Sequence, residues 1–356
     1  MSLWIQDITL ANFRSYQHFT LNNLEELNIL FGPNAIGKTN VIEALQLLTA
    51  LTSFRKATSS EMAKQGSSDF LLSANVSDGN RQLEVELVFD GEKRSYRLNG
   101  KARTIKDLKG MIPAILFAPE DLDLVKRSDS LRRGEIDLIG QQVNANYYQI
   151  TRDFEKLLRH RNRLLKDEAP DDLLDALSEL FAKVGSQLTA YRRALIERMT
   201  PFLVEAYKDI SGGEEFSVDY IPSSEDQEDL RRKQEEARIE ERARHQTIIG
   251  PHRDKIQFLI NGMDVGSFAS QGQQRSVVLS LKMAEVRLIE EMLHQKPILL
   301  LDDVMSELDT RRRQAMVECL LPKTQTFITT ANLEYFDTKM REKALIIDIQ
   351  KHLMSG

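Results

Sequence analysis

The segment Phe31-Gly32-Pro33-Asn34-Ala35-Ile36-Gly37-Lys38-Thr39 satisfies the G-x-x-x-x-G-K-[ST] phosphate-loop pattern at every specified position. Few patterns constrain a chain more, because this one requires a buried strand before it and a helix after it. Both are legible: Leu27 to Phe31 reads as a short buried strand, and Val41, Ile42, Ala44, Leu45, Leu47 and Leu48 recur at helical spacing. The glycines let backbone N–H groups converge on phosphate oxygens, and the positive end of the following helix adds to that field. Gly32, Pro33, Asn34, Ala35, Ile36 and Gly37 form the cradle, with Asn40 just beyond it. Lys38 supplies a mobile point charge for the β- and γ-phosphates, and Thr39 offers the hydroxyl that such loops give to Mg²⁺. A nucleoside triphosphatase is predicted.

Composition sets wide limits. A chain of 356 residues with 41% hydrophobic residues can build a sizeable core in two or more lobes. The formal charge of −6 does not exclude nucleic acid, since exposed charges are screened beyond a Debye length of roughly 8 Å and local patches decide. The single cysteine, Cys319, excludes an internal disulfide framework and a Cys-clustered zinc site. It is expected to be a small buried hydrophobe in a reducing compartment. No apolar run approaches the ~18 residues needed to span a membrane, and Met1 to Asp7 is not a basic leader with an apolar core. A soluble cytoplasmic protein with no membrane partner is expected.

The chain divides by composition into three stretches. Residues 1–120 read as strands punctuated by turns, with the loop-helix unit inserted among them; Leu83 to Phe89 alternates cleanly, turns at Asp90-Gly91 and returns through Tyr96 and Leu98 as a hairpin. Residues 121–246 carry long helical periods: one helix over Asn144 to Lys166, a second from Asp172 to about Ile210 with Pro201 as a kink, and a densely charged solvated helix over Glu225 to Arg244. Residues 247–356 return to strands, with a turn at Asn261-Gly262, a helix from about Gln273 to Leu293, and strands at Ile298 to Leu301 and Thr326 to Thr329. The expected fold is α/β, a split P-loop ATPase lobe with an inserted, mainly α-helical lobe.

Two further motifs narrow the class. Pro297-Ile298-Leu299-Leu300-Leu301-Asp302-Asp303 describes a buried parallel strand that delivers Asp302 to the C-terminal edge of a sheet, where ligands of open α/β folds bind. Asp302 is placed to hold Mg²⁺; Asp303 either polarises the attacking water as general base or caps the next helix. Ser270-Gln271-Gly272-Gln273-Gln274-Arg275 opens a helix and resembles the signature of ABC-type ATPases. In that class the signature of one subunit closes over the γ-phosphate held by the other, which gives Ser270 a catalytic role and makes Gly272 and Gln273 cofactor contacts. Glu307-Leu308-Asp309 looks like the D-loop of the same interface.

In this order the motifs resemble the RecF family, the recombination mediator ATPases of bacteria, over nearly the whole chain. Leu10-Ala11-Asn12-Phe13-Arg14-Ser15-Tyr16 followed by Gly32-Pro33-Asn34 is shared with SMC-type proteins and specifies only the superfamily, in which Arg14 is expected at the cofactor. Ala118-Pro119-Glu120-Asp121-Leu122, Arg161-Asn162-Arg163-Leu164-Leu165-Lys166 and Gly250-Pro251-His252-Arg253-Asp254 are more specific. The resemblance implies ATP and Mg²⁺ as cofactors, an ATP-dependent homodimer, and weak ATPase activity stimulated by DNA. It also implies binding to duplex or gapped DNA and help in loading RecA with RecO and RecR. Asp303 stands where many ABC members have Glu, and Thr330 where a switch histidine is usual, a combination compatible with slow turnover. The basic run from Lys126 lacks the glycine and proline expected there. SMC relatives insert coiled coils of great length, whereas a hairpin of the present insert reaches at most ~90 Å at 1.5 Å per residue.

Between Lys126 and Lys166 there are ten Lys/Arg and five Asp/Glu. Arg152, Lys156, Arg159 and Arg163 fall on one helical face, a stripe that either follows a DNA backbone or is simply solvated. His252 and Arg253 either approach a ligand or order the return strand. An ATP switch that gates a protein assembly without touching DNA stays open as the alternative.

Overall fold

In the computed structural model of the chain, residues 3–126, 128–320 and 324–355 are described, without the side chains of Cys319, Leu320 and Ser355. The expected burial of Cys319, and Arg127 of the basic run, lie outside the described residues. Two compact units are present: one comprises residues 1–121 and 285–356, the other residues 122–284.

The first unit opens with β1 (Trp4–Phe13), β2 (Tyr16–Leu21), β3 (Leu27–Phe31), β4 (Phe70–Ser77), β5 (Gln82–Phe89), β6 (Arg94–Leu98), β7 (Lys101–Arg103) and β8 (Ala114–Phe117). The second unit contributes β9 (Phe216–Ile221), β10 (Lys255–Ile260) and β11 (Met263–Asp264). The chain then returns to the first unit with β12 (Ile298–Asp302), β13 (Thr326–Thr330) and β14 (Leu345–Asp348).

In the first unit an antiparallel sheet runs β2-β1-β4-β5-β6-β7 and a parallel sheet runs β14-β3-β13-β12-β8. Every residue of β12 and β13 is buried, as central parallel strands covered on both faces require. The helix Lys38–Thr49 carries the apolar periodicity seen in the sequence, and its Val41, Ile42, Leu45 and Leu48 enter one core with Ile5, Leu10 and Phe13 of β1, Leu30 of β3 and Leu300 of β12. Parallel order places the C-terminal ends of β3, β12 and β13 along one edge, so Gly32, Asp302 and Thr330 arrive together.

The second unit is helical, with helices Asp129–Val143, Ala145–Lys166 and Asp171–Ser211, the last continuous through Pro201. The solvated segment predicted over Glu225 to Arg244 forms two helices, Gln227–Glu236 and Arg238–Arg244. The expected return to the ATPase lobe at residue 247 falls instead at 285, inside the helix Gln271–Leu293. Strand pairing is the reason: β10 pairs with β9 and turns into β11 at Asn261-Gly262, where both residues have positive φ (50° and 75°). That sheet anchors residues 255–264 to the helical unit. No helix among the described residues is long and apolar enough to cross a membrane.

Candidate nucleotide site

Gly32 leaves β3 with φ 155°, Ala35 is left-handed at φ 65°, and Gly37 closes the loop at φ 112° as the N-cap of Lys38–Thr49. Gly37 is needed twice over, since a Cβ there would lie 2.7 Å from the Tyr16 hydroxyl as well as requiring that φ. Lys38 folds back over the loop, its Nζ donating to the carbonyls of Gly32 at 2.8 Å and Pro33 at 3.0 Å. Burial lowers its pKa, opposed by the carboxylates of Asp303 and Asp302.

The acidic strand end meets this loop directly. Thr39 Oγ1 donates to Asp302 Oδ1 at 3.0 Å, and Thr329 Oγ1 donates to the same oxygen at 2.7 Å. Thr329 Oγ1 in turn accepts the Asp303 N–H at 2.8 Å, which ties β12 and β13 together at the edge. Burial raises the pKa of Asp302, partly offset by the two threonine hydroxyls, with Asp303 nearby adding to the rise and Arg55 opposing it. Asp303 adopts a left-handed conformation (φ 55°) at the head of the short helix Val304–Ser306, yet its side chain makes no capping hydrogen bond. Thr330 is buried, its hydroxyl donating to the Asn332 carbonyl at 2.9 Å.

Arg14 lies beside this loop in the turn between β1 and β2. Its Nε and Nη2 make a bidentate pair with Glu43 at 2.8 and 2.7 Å, and its Nη1 donates to the Glu61 carbonyl at 2.7 Å. Ser15 accepts from Asn40 Nδ2 at 2.9 Å, so the same turn holds the residue after Thr39. Sequence reasoning passed over two partners here. Arg55 donates to Asn40 Oδ1 at 2.8 Å and lies 3.5 Å from Glu43, putting another cation close to the loop. Glu43 gave the available signal: a fully buried acid on the apolar face of a helix must be paired.

The remaining predicted residues belong to the other unit. Ser270 and Gln273 form a reciprocal capping box, with Gln273 N–H donating to Ser270 Oγ at 3.2 Å and Ser270 N–H to Gln273 Oε1 at 2.8 Å. Gln273 Nε2 reaches Glu214 at 2.7 Å, and Gly272 lies in the first turn of Gln271–Leu293. Arg152, Lys156, Arg159 and Arg163 are all exposed on Ala145–Lys166; Arg159 faces Glu155 at 3.9 Å and Arg163 faces Asp167 at 3.5 Å. The charge surplus of that region is not all surface. Arg161 is 1% exposed, bound to Glu241 at 2.6 Å, Thr247 at 2.9 Å and Ser178 at 3.2 Å. In the segment 250–254, Gly250, Pro251 and Asp254 are interior, His252 is partly buried and Arg253 is exposed: Asp254 accepts from Arg192 at 2.7 Å and Tyr220 at 2.5 Å, and His252 Nε2 lies 3.0 Å from the Thr247 carbonyl.

A phosphate loop on β3, an acidic pair ending the parallel strand β12 and a split ATPase unit define a P-loop ATPase head of the SMC and ABC type. Residues 4–354 match the family described as the RecF/RecN/SMC N terminal domain. The DNA replication and repair protein RecF of Rippkaea orientalis is 35% identical over 374 residues, with 98% of each chain covered. Among solved structures, the recombination mediator protein RecF with ATP, of the RecFOR pathway, is 30% identical with a TM-score of 0.88 over 94% of each chain. The Smc head domain of Pyrococcus furiosus, 14% identical with a TM-score of 0.53 over 93% of this chain and 90% of its own, shares the fold. The chain belongs to the RecF family of DNA replication and repair proteins.

Proposed function

We propose that this chain is an ATP-dependent DNA-binding protein of replication and recombinational repair. It binds ATP with Mg²⁺ in the loop Gly32 to Asn40, dimerises on doing so, engages duplex or gapped DNA, and hydrolyses ATP slowly with stimulation by DNA. The observation that carries this reading is the hydrogen bond from Thr39 to Asp302, which joins the loop to the acidic strand end as one site. Both groups offer hard oxygen donors, the chemistry Mg²⁺ takes, and a buried carboxylate with a raised pKa gains from a cation beside it. Bound Mg²⁺ would neutralise charge on the phosphate oxygens.

The chain's own residues carry the rest. Lys38 exchanges the Gly32 and Pro33 carbonyls for phosphate oxygens, which hold a charged donor more strongly. Arg14, Glu43 and Arg55 steady Asn40 and the helix start. Asp303 accepts the proton of the attacking water, a role its uncapped carboxylate supports over that of an N-cap. Ser270, Gly272 and Gln273 of a second copy close over the γ-phosphate. With RecO and RecR the closed dimer on DNA would help load RecA. An ATP hydrolysis assay with and without duplex DNA tests this: turnover should rise with DNA and vanish in Asp302→Asn. Equal turnover with and without DNA would leave an ATP switch that does not touch DNA.

A further inference from the structure

The three-stranded sheet of the helical unit ends in β9, whose outer edge pairs with no strand among the described residues. The register determines which backbone groups face that edge. β9 and β10 pair antiparallel with Phe216 opposite Ile260, and one step further Asn261 N–H donates to the Glu215 carbonyl at 2.9 Å. Glu215 and Asn261 are therefore a hydrogen-bonded pair, and such pairs alternate along an antiparallel ladder. Ser217, Asp219 and Ile221 bond to β10; Phe216, Val218 and Tyr220 turn their N–H and C=O groups outward.

Beside this open edge lies a groove of about 420 Å³, lined by Val218 and Tyr220 of β9 and by Arg193, Ile196, Glu197, Thr200 and Pro201 of the helix Asp171–Ser211. Ile196, Val218 and Pro201 give it an apolar floor. Pro201 has no N–H, so the Glu197 carbonyl lacks its intrahelical donor. Arg193 is paired with Glu225 at 2.6 Å, whereas the exposed carboxylate of Glu197 has no partner among the described residues. Glu197 is thus the one unpaired charge among the residues that line the groove.

An unpaired edge alongside a helix-walled groove is the arrangement in which an extended peptide adds as a further strand, its main chain bonding the edge and alternate side chains entering the groove. We propose that the β9 edge and its groove dock an extended segment of a partner protein. That segment bonds Val218 and Tyr220 through its backbone, seats an apolar side chain over Ile196 and Val218, and presents Lys or Arg to Glu197. Asp219, whose side chain points to the other face of β9, guards the edge against unspecific pairing, a common use of an edge charge.

Amide hydrogen exchange of the full chain, free and with an acetylated peptide alternating Lys with Val, tests the proposal. In the free chain the Val218 and Tyr220 amides should exchange much faster than that of Asp219, and peptide should slow them by about tenfold. Val218→Pro removes one outward N–H while leaving the ladder to β10 intact, and Glu197→Lys reverses the charge at the mouth. Each should weaken the peptide by about tenfold without moving the thermal unfolding midpoint. Val218 and Tyr220 amides already as protected as that of Asp219, or peptide affinity equal in wild type and both variants, would overturn the docking site. Self-association lost in Val218→Pro would overturn the partner protein in favour of a second copy.

Discussion

Asp303 follows a strand whose every residue is buried, is held left-handed by its N–H bond to Thr329, and keeps its carboxylate free of any capping bond. Asp303→Asn keeps that shape and removes the proton acceptor. ATP affinity should hold while turnover falls by about 10²–10⁴-fold, the range for a lost general base; turnover within twofold of wild type would make Asp303 a structural residue. Lys38→Ala should instead weaken ATP binding by roughly 10–100-fold, the worth of a charge-assisted hydrogen bond, with little change in the unfolding midpoint. His252 titrates for another reason: burial holds its pKa down to about 4. The unfolded chain, with a value near 6.5, binds a proton that the native state refuses between those pH values. Stability should therefore fall by about 2 kcal/mol from pH 7 to pH 5, and His252→Gln should flatten that slope in urea denaturation.

At the scale of elements, what was legible in the sequence was local. The loop Gly32 to Thr39, the run Ile298 to Asp302 and the turn Asn261-Gly262 each declare themselves within a few residues, because torsion and burial are decided there. What was not legible depends on distant partners. Arg161 meets Glu241 across 80 residues and Arg192 meets Asp254 across 62, so the sequence did not reveal that Arg161 and Asp254 of the family-specific segments are interior ion pairs. The pairing of β10 with β9 was hidden likewise, and the expected boundary at 247 misplaced β10. Helix packing gives a sharp contrast within Asp129–Val143. A Cβ on Gly140 would lie 2.5 Å from the Tyr147 ring, whereas one on Gly134 would meet nothing within 4 Å. Gly140→Ala should cost about 1–3 kcal/mol and Gly134→Ala should be neutral or stabilising by up to about 1 kcal/mol in thermal melts. On Ala145–Lys166, Arg159 and Arg163 make only exposed ion pairs, which contribute little and leave both cations available to phosphate. Arg152→Glu/Lys156→Glu/Arg159→Glu should weaken DNA binding and flatten its salt dependence, each lost contact removing a slope of about 0.9 in log K against log[salt]. An unchanged slope would assign the stripe to solvated surface.

At the scale of the whole molecule the proposed function divides its labour between the two units. One holds the loop and the acidic pair, the other the signature turn and the basic helix. Ser270→Arg adds bulk and charge at the exposed signature turn, and should give a chain that binds ATP and remains monomeric. The most direct test of the ATP-gated assembly is sedimentation velocity of the wild-type chain with fluorescent duplex DNA, run without nucleotide and with ATP and Mg²⁺. The account predicts a monomer with little bound DNA in the first case and a dimer carrying DNA in the second. A monomer in both runs, or DNA carried equally without ATP, would contradict it.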